Sequence, residues 1–320
     1  MHNKAREHIL GRLSISSVPV SGDLLAVELG LSRTGVWKHI QVLKRGGARI
    51  EAQSGKGYTL HAPVLTAGQL QARLRTSHLG SRLLLVEETG STNRDVMRLA
   101  EQGEAEGLVM IAGRQTNGRG RLGRCWHTMP ESLAVSVLLR PALPPEQVPQ
   151  LSLLTAVALH DALKTYAPDL RIKWPNDLMC HGAKLAGILT EMRAEPGSVH
   201  AVVLGFGINL SPPLNGWPAD ITQPAIDLAT ASGAALSRLE VLASVLNALD
   251  HWYGLYLQQG FGAVRDAWWL AHAASDQNVR VHDGRGYIHG VARRLDYDGA
   301  LLLETEQGMQ RIIAGDLEIL

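Results

Sequence analysis

The hydrophobic periodicity of the chain changes twice along its length, and these changes constrain the fold more than any other feature. Residues 1–63 contain short helical segments and a hairpin, and residues 64–271 alternate longer helices with apolar strands. Residues 272–320 contain only short period-two segments separated by Asp-Gly turns. A chain of 320 residues is long enough to bury several cores. The sequence therefore predicts an α+β protein with three domains at these boundaries.

The first domain has the pattern of a winged helix-turn-helix. Ser21 precedes one helix that Gly30 ends, and Ser32 precedes a second helix that ends at Gly46-Gly47. Two helices joined by so tight a turn are typical of a DNA-binding motif. The segments ARIEA and YTLHA then form a hairpin around SGKG, which predicts the wing. From His61 to Thr66 we expect a linker, followed by a helix that Thr66 and Gln69 cap.

The charge of this first domain favours nucleic acid as its partner. Residues 1–61 carry nine Lys/Arg and four Asp/Glu, whereas the remainder carries 22 and 26. Val36, Ile40 and Leu43 share one helical face, which we expect to be buried. The residues expected to contact phosphates and base edges of DNA are Ser32, Arg33, Thr34, Lys38, His39, Lys44 and Lys56. A protein–protein or dimer module is the alternative.

The stretch GRGRLGRCW, residues 118–126, fits the spacing of a dinucleotide-binding fingerprint. That fingerprint requires a helix after the glycines and an acidic residue about 20 positions on. Here the loop leads to the predicted strand LAVSVLLR, and no acidic residue follows at that distance. A nicotinamide cofactor is therefore not expected. Arg119, Arg121 and Arg124 instead suit a phosphate or carboxylate ligand, unless this is simply a basic surface loop.

Two lysines lie in predicted apolar strands nearby. Lys173 belongs to KWPND and Lys184 to GAKLAGIL, and an unpaired ammonium is costly in apolar surroundings. Asp177 is placed to pair with either of them. Gly205 and Gly207 in GFGIN predict close approach of a ligand or of another backbone segment to that strand. Together with the arginines, these residues indicate a site that handles negative charge.

GRQTNGRGRLGRCW, KWPND, KLAGIL and GFGIN, in this order and spacing, resemble the biotin protein ligases. With a winged helix in front, the chain resembles the bifunctional members that also repress the biotin operon. The resemblance implies a class II synthetase-like central domain with a mixed sheet and a small SH3-like β-barrel at the C-terminus. It also implies formation of biotinyl-5′-AMP from biotin and Mg-ATP, and transfer of biotin to a lysine of biotin carboxyl carrier protein. Operator DNA and, with adenylate bound, a homodimer are the other implied partners.

The resemblance also implies roles for individual residues. Catalysis is expected from Lys184, Asp177, Arg119 and Arg121. Biotin contacts are expected from Ser91, Thr92, Asn93, Gln115, Gly118, Arg119, Arg121, Lys184, Gly187, Leu189 and Gly205. ATP contacts are expected from Arg121, Arg124, Trp126, Asn176, Lys184, Asn209 and Trp217, with Mg²⁺ carried by ATP and no metal site of the protein itself. Asp177 either orients or deprotonates the acceptor lysine, or holds Lys173 or Asn176 in place.

Two features depart from the family pattern. The segment 211–235 is long and Pro-rich, which predicts a mobile loop, and the sequence ends at Leu320 without the arginine that repressor members carry after the last strand. Nucleotide contacts from these two regions are therefore not assigned. The role of Cys125 inside the arginine-rich loop stays open.

The remaining sequence features bear on other classes of protein. Two cysteines without a CxxC pair argue against a disulfide framework or structural zinc. Without a secretory signal or an apolar run of roughly 20 residues, a cytoplasmic chain with no membrane partner is expected. Two other functions stay possible: a ligand sensor with an inactive catalytic domain, and a lipoate or octanoate transferase.

Overall fold

The computed structural model describes residues 2–16, 18–45, 48, 50–53, 55–60, 65–129, 132–213, 216–221 and 223–320. The chain divides into two compact units, Met1–Ala72 with Ser237–Glu240 and Arg73–Leu236 with Val241–Leu320. No helix among the described residues is long and apolar enough to cross a membrane.

The first unit is a helix-turn-helix followed by a two-stranded wing. Its elements are α1 (His2–Ile15), α2 (Gly22–Leu29), α3 (Arg33–Arg45), β1 (Ile50–Gln53), β2 (Gly57–Leu60) and α4 (Ala67–Gln71). The Ser21 hydroxyl accepts a hydrogen bond from the Asp23 amide at 3.2 Å, and Ser32 accepts one from the Gly35 amide at 3.1 Å. Gly30 ends α2 at a φ of 62°, a left-handed conformation that glycine adopts without strain. These local predictions are confirmed.

The core of this unit forms where the predicted apolar face of α3 meets α1 and the wing. Val36, Ile40 and Leu43 are buried together with Ile9 and Leu25, as predicted. The strands β1 and β2 pair antiparallel, with Ala52 opposite Tyr58. The predicted end of α3 at Gly46-Gly47 lies outside the described residues, as does most of the linker expected from His61.

The second unit is built on a seven-stranded mixed sheet in the order β3-β4-β5-β9-β8-β7-β6. Its strands are β3 (Arg82–Thr89), β4 (Leu108–Gln115), β5 (Ser132–Leu139), β6 (Arg171–Lys173), β7 (Asp177–Cys180), β8 (Ala183–Glu195) and β9 (Ser198–Asn209). Only β3 and β4 pair in parallel among these described strands. Its helices are α5 (Thr92–Glu101), α6 (Val148–Leu163), α7 (Leu228–Ser232), α8 (Arg238–Gln259) and α9 (Gly262–Leu270).

The arginine-rich loop joins β4 to β5, which are antiparallel neighbours in this sheet. Within the described residues of that connection, the only helical segment is a short 3₁₀ turn at Arg121–Gly123. The helix that a dinucleotide-binding fingerprint places directly after its glycines is not found among the described residues of this loop.

The described residues of segment 211–235 include a short helix and backbone pairing that the Pro-rich composition does not predict. The Asp227 carboxylate caps α7 by accepting the Thr230 amide at 2.8 Å. Lys184 also pairs with this segment, because its amide donates to Pro224 O at 2.7 Å and its carbonyl accepts from the Ile226 amide at 3.0 Å. These bonds hold the second half of the segment against β8.

The last strands form a five-stranded antiparallel sheet in the order β13-β12-β11-β10-β14. They are β10 (Asn278–His282), β11 (Tyr287–Leu295), β12 (Leu301–Thr305), β13 (Gly308–Ile312) and β14 (Asp316–Ile319). The stretch QRIIAGDLEIL contributes to both β13 and β14. Val279, Val281 and Leu301 are fully buried in this sheet. The small C-terminal β domain is therefore present, with β13 and β14 at the ends of its pairing order.

Candidate active site

A cleft of about 410 Å³ lies where the arginine-rich loop, the start of α5 and the strands β7, β8 and β9 meet. With the exception of Gly118, every residue predicted to contact biotin or ATP lines this cleft. Trp217 lines it from segment 211–235, and Asp316 and Leu317 line it from β14. Arg121 and Lys184, both expected to be catalytic, therefore line the same space.

One end of the cleft is neutral and rich in hydrogen bonds. Ser91, Thr92 and Asn93 are buried at the start of α5. The Thr92 amide and hydroxyl both donate to Gln115 Oε1, at 2.8 and 3.0 Å. The Ser91 hydroxyl makes no capping hydrogen bond to the helix, although Ser91 occupies the N-cap position.

Ser136 completes this network, and the sequence analysis missed it. Its side chain on β5 is 0% exposed, and its hydroxyl lies 2.6 Å from Asn93 Oδ1 and 2.7 Å from Thr92 Oγ1. Asn93 Nδ2 in turn donates to Glu191 Oε2 at 2.8 Å. The signal was present in the sequence, because Ser136 is the one polar residue inside the apolar run LAVSVLL.

The strand glycines are explained by the side chains that lie against them. A Cβ at Gly205 would lie 2.0 Å from Asn93 Oδ1, and one at Gly207 would lie 2.2 Å from the Trp126 ring. The predicted close approach to this strand is thus made by the Asn93 and Trp126 side chains. Gly118 serves the same packing, since a Cβ there would lie 2.3 Å from Trp126 O.

Trp126 forms an aromatic wall above β8 and β9. Its ring also lies against Gly187, where an added Cβ would be 3.2 Å from it. Lys184 Nζ lies 5.8 Å from the ring centroid, within range of a cation–π interaction. The indole Nε1 is buried and has no hydrogen-bond partner among the described residues.

A second part of the cleft, called the charged end below, holds Lys184 and Asp177. Lys184 Nζ lies 2.7 Å from Asp177 Oδ1, and the two side chains are 25% and 12% exposed. Their alignment is not that of a hydrogen bond, but Coulomb attraction at this distance does not require one. Asp177 therefore pairs with Lys184 and not with Lys173, although Lys173 lies directly opposite Asp177 in the β6–β7 register.

The three arginines of the loop have different partners. Arg119 Nη1 lies 3.0 Å from Glu191 Oε1, and Arg124 forms an ion pair with Asp316. Arg121 Nη1 reaches two neutral oxygens, Asn176 Oδ1 at 3.4 Å and Gly315 O at 3.5 Å. Burial lowers the pKa of Arg121, and the nearby Asp316 opposes this effect. The start of β14 thus anchors the loop, a contribution that no local motif of the sequence indicates.

The two asparagines predicted to contact ATP also hold the backbone of the site. Asn176 Nδ2 donates to Ile188 O at 2.6 Å. Asn209 Nδ2 donates to Lys184 O at 3.3 Å and to Ile226 O at 3.2 Å, joining β9 to β8 and to segment 211–235. A further link to that segment is the contact between His127 Nε2 and Asp220 Oδ2 at 3.3 Å.

The residues predicted to contact DNA lie in the first unit. Ser32, Arg33, Thr34, Lys38 and Lys56 are exposed, whereas His39 and Lys44 are half-buried. Arg33 Nε lies 2.9 Å from Asp23 Oδ1, so part of its charge is already neutralised. The sequence analysis did not select Trp37, which is 51% exposed on α3.

Three family models match the chain in the order of its domains. Residues 5–59 match an HTH domain, residues 85–209 match the Biotin/lipoate A/B protein ligase family, and residues 274–320 match the Biotin protein ligase C terminal domain.

Known proteins match over most of the chain. The bifunctional ligase/repressor BirA of Bacillus subtilis is 35% identical over 304 residues, which are 94% of either chain. The protein of that name from Escherichia coli is 31% identical over 93% of this chain and 92% of its own. The solved structure of the biotin protein ligase from Aquifex aeolicus in complex with biotin and ATP has a TM-score of 0.64 at 28% identity, covering 75% of this chain and 99% of its own. By its identity to these relatives over nearly its whole length, the chain belongs to the biotin protein ligase family, among the bifunctional ligase/repressors of the BirA type.

Proposed function

We propose that this chain is an ATP-dependent biotin protein ligase that is also a biotin-responsive transcriptional repressor. It forms biotinyl-5′-AMP from biotin and ATP and then transfers biotin to a lysine of biotin carboxyl carrier protein. The observation that carries this proposal is the cleft that Lys184 and Arg121 line together with a buried hydrogen-bonding network of Thr92, Asn93 and Gln115.

The neutral end of the cleft suits the ureido ring of biotin. That ring offers two N–H donors and one carbonyl acceptor, and Ser91, Thr92, Asn93 and Gln115 supply both acceptors and donors. The aliphatic chain of lipoate or octanoate offers no ureido donors or acceptor to this network, and each polar group that it buries without a new hydrogen bond costs about 1–3 kcal/mol. This difference favours biotin over the lipoate or octanoate alternative.

The charged end suits formation of the adenylate. A biotin carboxylate oxygen attacks the α-phosphorus of ATP, the bond from this phosphorus to the bridging oxygen breaks, and pyrophosphate leaves. Both reactants are anions, so a cation already in place lowers the barrier. Lys184 is positioned for this role, and the glycine-rich loop brings Arg121 to the same space.

Mg²⁺ accompanies ATP in the proposed reaction, and the residues of the cleft do not fit a metal held by the protein. Among the described residues, no group of three or more His, Cys, Asp or Glu side chains is placed to hold a metal ion. The aspartates that line the cleft, Asp177, Asp220 and Asp316, are each within ion-pair distance of a basic side chain. We therefore assign Mg²⁺ to the phosphate oxygens of the nucleotide.

In the second step, the neutral amine of the acceptor lysine attacks the acyl carbon. The bond from that carbon to the phosphate oxygen breaks, AMP leaves with its electron pair, and the nitrogen passes one proton to the Asp177 carboxylate. The amine must bind close to the carboxylate of Asp177, which lies beside Lys184 at the charged end. We assign Asp177 two roles, to hold Lys184 in place and to accept a hydrogen bond from the incoming amine.

The first unit supplies the repressor function. The exposed Arg33, Thr34 and Lys38 on α3, with Lys56 on the wing, present donors to the phosphates and base edges of operator DNA. In this proposal the arginine-rich loop and segment 211–235 contact the bound adenylate, and the adenylate-bound form dimerises and binds DNA. Both activities belong to the cytoplasm.

A biotin-transfer assay tests the catalytic half of the proposal. Purified chain, biotin and ATP are incubated with a biotin carboxyl carrier protein, and incorporation is followed with and without competing lipoate. We expect incorporation that requires ATP and that lipoate does not suppress. Biotin binding without transfer would favour the ligand sensor, and suppression by lipoate would favour the related transferase.

A further inference from the structure

The positive charges that line the cleft are not equally free to bind a ligand. The cations of the cleft with a fixed charge are Arg119, Arg121, Arg124, Lys173 and Lys184. Those within ion-pair distance of an acid are Arg119 with Glu191, Arg124 with Asp316 and Lys184 with Asp177. Arg121 donates to two neutral oxygens. Lys173 is therefore the cation of the cleft whose charge still lacks a described partner.

Lys173 is half-buried at the end of β6 and makes no hydrogen bond or ion pair with any residue that the structure describes. It faces Asp177 across the β6–β7 register, yet that carboxylate lies against Lys184. A partly buried ammonium without an anion is unfavourable, and it costs least where an anionic ligand compensates it.

We propose that Lys173 is a catalytic residue that binds the β- and γ-phosphates of ATP and the pyrophosphate that they become. The proposal rests on the ligase function proposed above and extends it to a residue for which the sequence analysis named no ligand. Lys184 and Lys173 lie on strands separated by β7, an axis separation of roughly 10 Å, so one ammonium serves the α-phosphate and the other the leaving group.

A protein cation at this second position would act beside the Mg²⁺ that accompanies ATP. As the bond between the α-phosphorus and the bridging oxygen breaks, its electron pair stays with pyrophosphate and the charge of that group increases. No proton is transferred in this step. The unpaired ammonium of Lys173, which lines the same cleft as Lys184, is placed to stabilise the departing anion.

The test compares Lys173→Met, which removes the charge, with Lys173→Arg, which keeps it. Biotin-dependent exchange between ATP and labelled inorganic pyrophosphate is measured as a function of pyrophosphate concentration. We expect the KM for pyrophosphate to rise about tenfold or more in Lys173→Met and much less in Lys173→Arg. Lys164→Met is the matched control, because Lys164 is exposed and pairs with Asp161 outside the cleft.

A second measurement separates this role from a structural one. Each variant receives chemically prepared biotinyl-5′-AMP and acceptor protein, a reaction without pyrophosphate. We expect the transfer rate of Lys173→Met to stay within about twofold of the wild-type rate, because its lost contact is absent from this step. An unchanged KM for pyrophosphate, or an equal loss in both reactions, would overturn the role of Lys173. Absence of biotin-dependent exchange in the wild-type chain would instead refute the ligase function itself.

Discussion

At the scale of single residues, the charged end of the cleft depends on how Lys184 is held. Its ammonium lies between the Asp177 carboxylate and the Trp126 ring, on a strand that segment 211–235 fixes through backbone hydrogen bonds. An ammonium held in this way does not have to be reorganised when negative charge develops at the α-phosphate. Preorganisation of this kind accounts for a large share of catalysis by electrostatic stabilisation.

Replacing Lys184 with alanine tests this role. We expect Lys184→Ala to lower the rate of biotinyl-5′-AMP formation by about 100-fold to 1000-fold, because the cation nearest the reacting phosphate is removed. The measurement is biotin-dependent ATP–pyrophosphate exchange, with the far-ultraviolet circular dichroism spectrum as a control for folding. Exchange at a near wild-type rate in the folded variant would show that Lys184 has no catalytic role.

Ser136 is the corresponding test of the neutral end. In Ser136→Ala, Asn93 Oδ1 loses the hydroxyl that lies 2.6 Å from it, and a buried acceptor is left unpaired. We expect biotin affinity to fall about tenfold and the free energy of unfolding to fall by about 1–3 kcal/mol. Calorimetric titration with biotin measures the first effect and urea unfolding the second. The matched control is Ser198→Ala at the exposed start of β9, for which neither quantity should change.

Individual residues also show which parts of the site can be found by reasoning from the sequence. Gln115, Lys184 and Arg121 belong to short sequence motifs. Such motifs can be recognised from the spacing of their residues, so these three residues were found from the sequence. Ser136 is a single polar residue in an apolar strand, and Asp316 comes from a distant sheet that meets the loop only after folding. Contacts of the second kind depend on tertiary structure, so local patterns in the sequence do not reveal them.

At the scale of elements, prediction succeeded where one local interaction decides the boundary. Ser21, Ser32 and Thr66 each accept the hydrogen bond expected of a helix cap. The prediction of secondary structure was incomplete in segment 211–235, where α7 depends on the Asp227 cap and on pairing with β8. A Pro-rich composition indicates a loop, but it contains no information on a strand partner that lies about 40 residues earlier in the chain.

The basic face of α3 gives a prediction of its own. Lys38 is exposed and Arg33 is paired with Asp23, so Lys38 has the more available charge. We expect Lys38→Ala to weaken binding to all DNA sequences alike and to reduce the salt-dependence slope by about 1, as loss of one phosphate contact does. Affinity is measured between 50 and 200 mM salt on an operator duplex and on a scrambled duplex. A loss confined to the operator would assign Lys38 to base recognition.

At the scale of the whole molecule, the seven-stranded sheet is tied to the segment that leads into the C-terminal strands. His272 Nδ1 lies 2.9 Å from Ile172 O, which makes Nδ1 the protonated nitrogen, and Ala273 N donates to the same carbonyl at 2.8 Å. The ring is 5% exposed and stacks on Trp268, with the ring centroids 4.5 Å apart. Its Nε2 is buried without a hydrogen-bond partner among the described residues. Protonation of His272 would therefore place an uncompensated charge at this junction.

This junction makes the stability of the fold sensitive to acid. Burial lowers the pKa of His272 from 6.5 to about 4, so between these values the unfolded chain binds a proton that the folded chain excludes. The contribution is fully present above pH 6.5 and is lost as the pH falls towards 4. Between pH 7 and pH 5 we expect His272 to remove about 2 kcal/mol from the free energy of unfolding.

Urea unfolding of wild type and His272→Asn at both pH values measures this contribution. Asparagine keeps a donor for Ile172 O but does not titrate, so the variant should lose less stability than the wild type between pH 7 and pH 5. Other groups titrate in both proteins, and the difference between the two pH dependences therefore isolates His272. The His272→Asn variant is also less stable at pH 7, because it loses the stacking on Trp268, but this loss is the same at both pH values and does not enter the difference. Identical pH dependences would mean that His272 titrates in the folded chain as it does in the unfolded chain, and that this junction admits the charge.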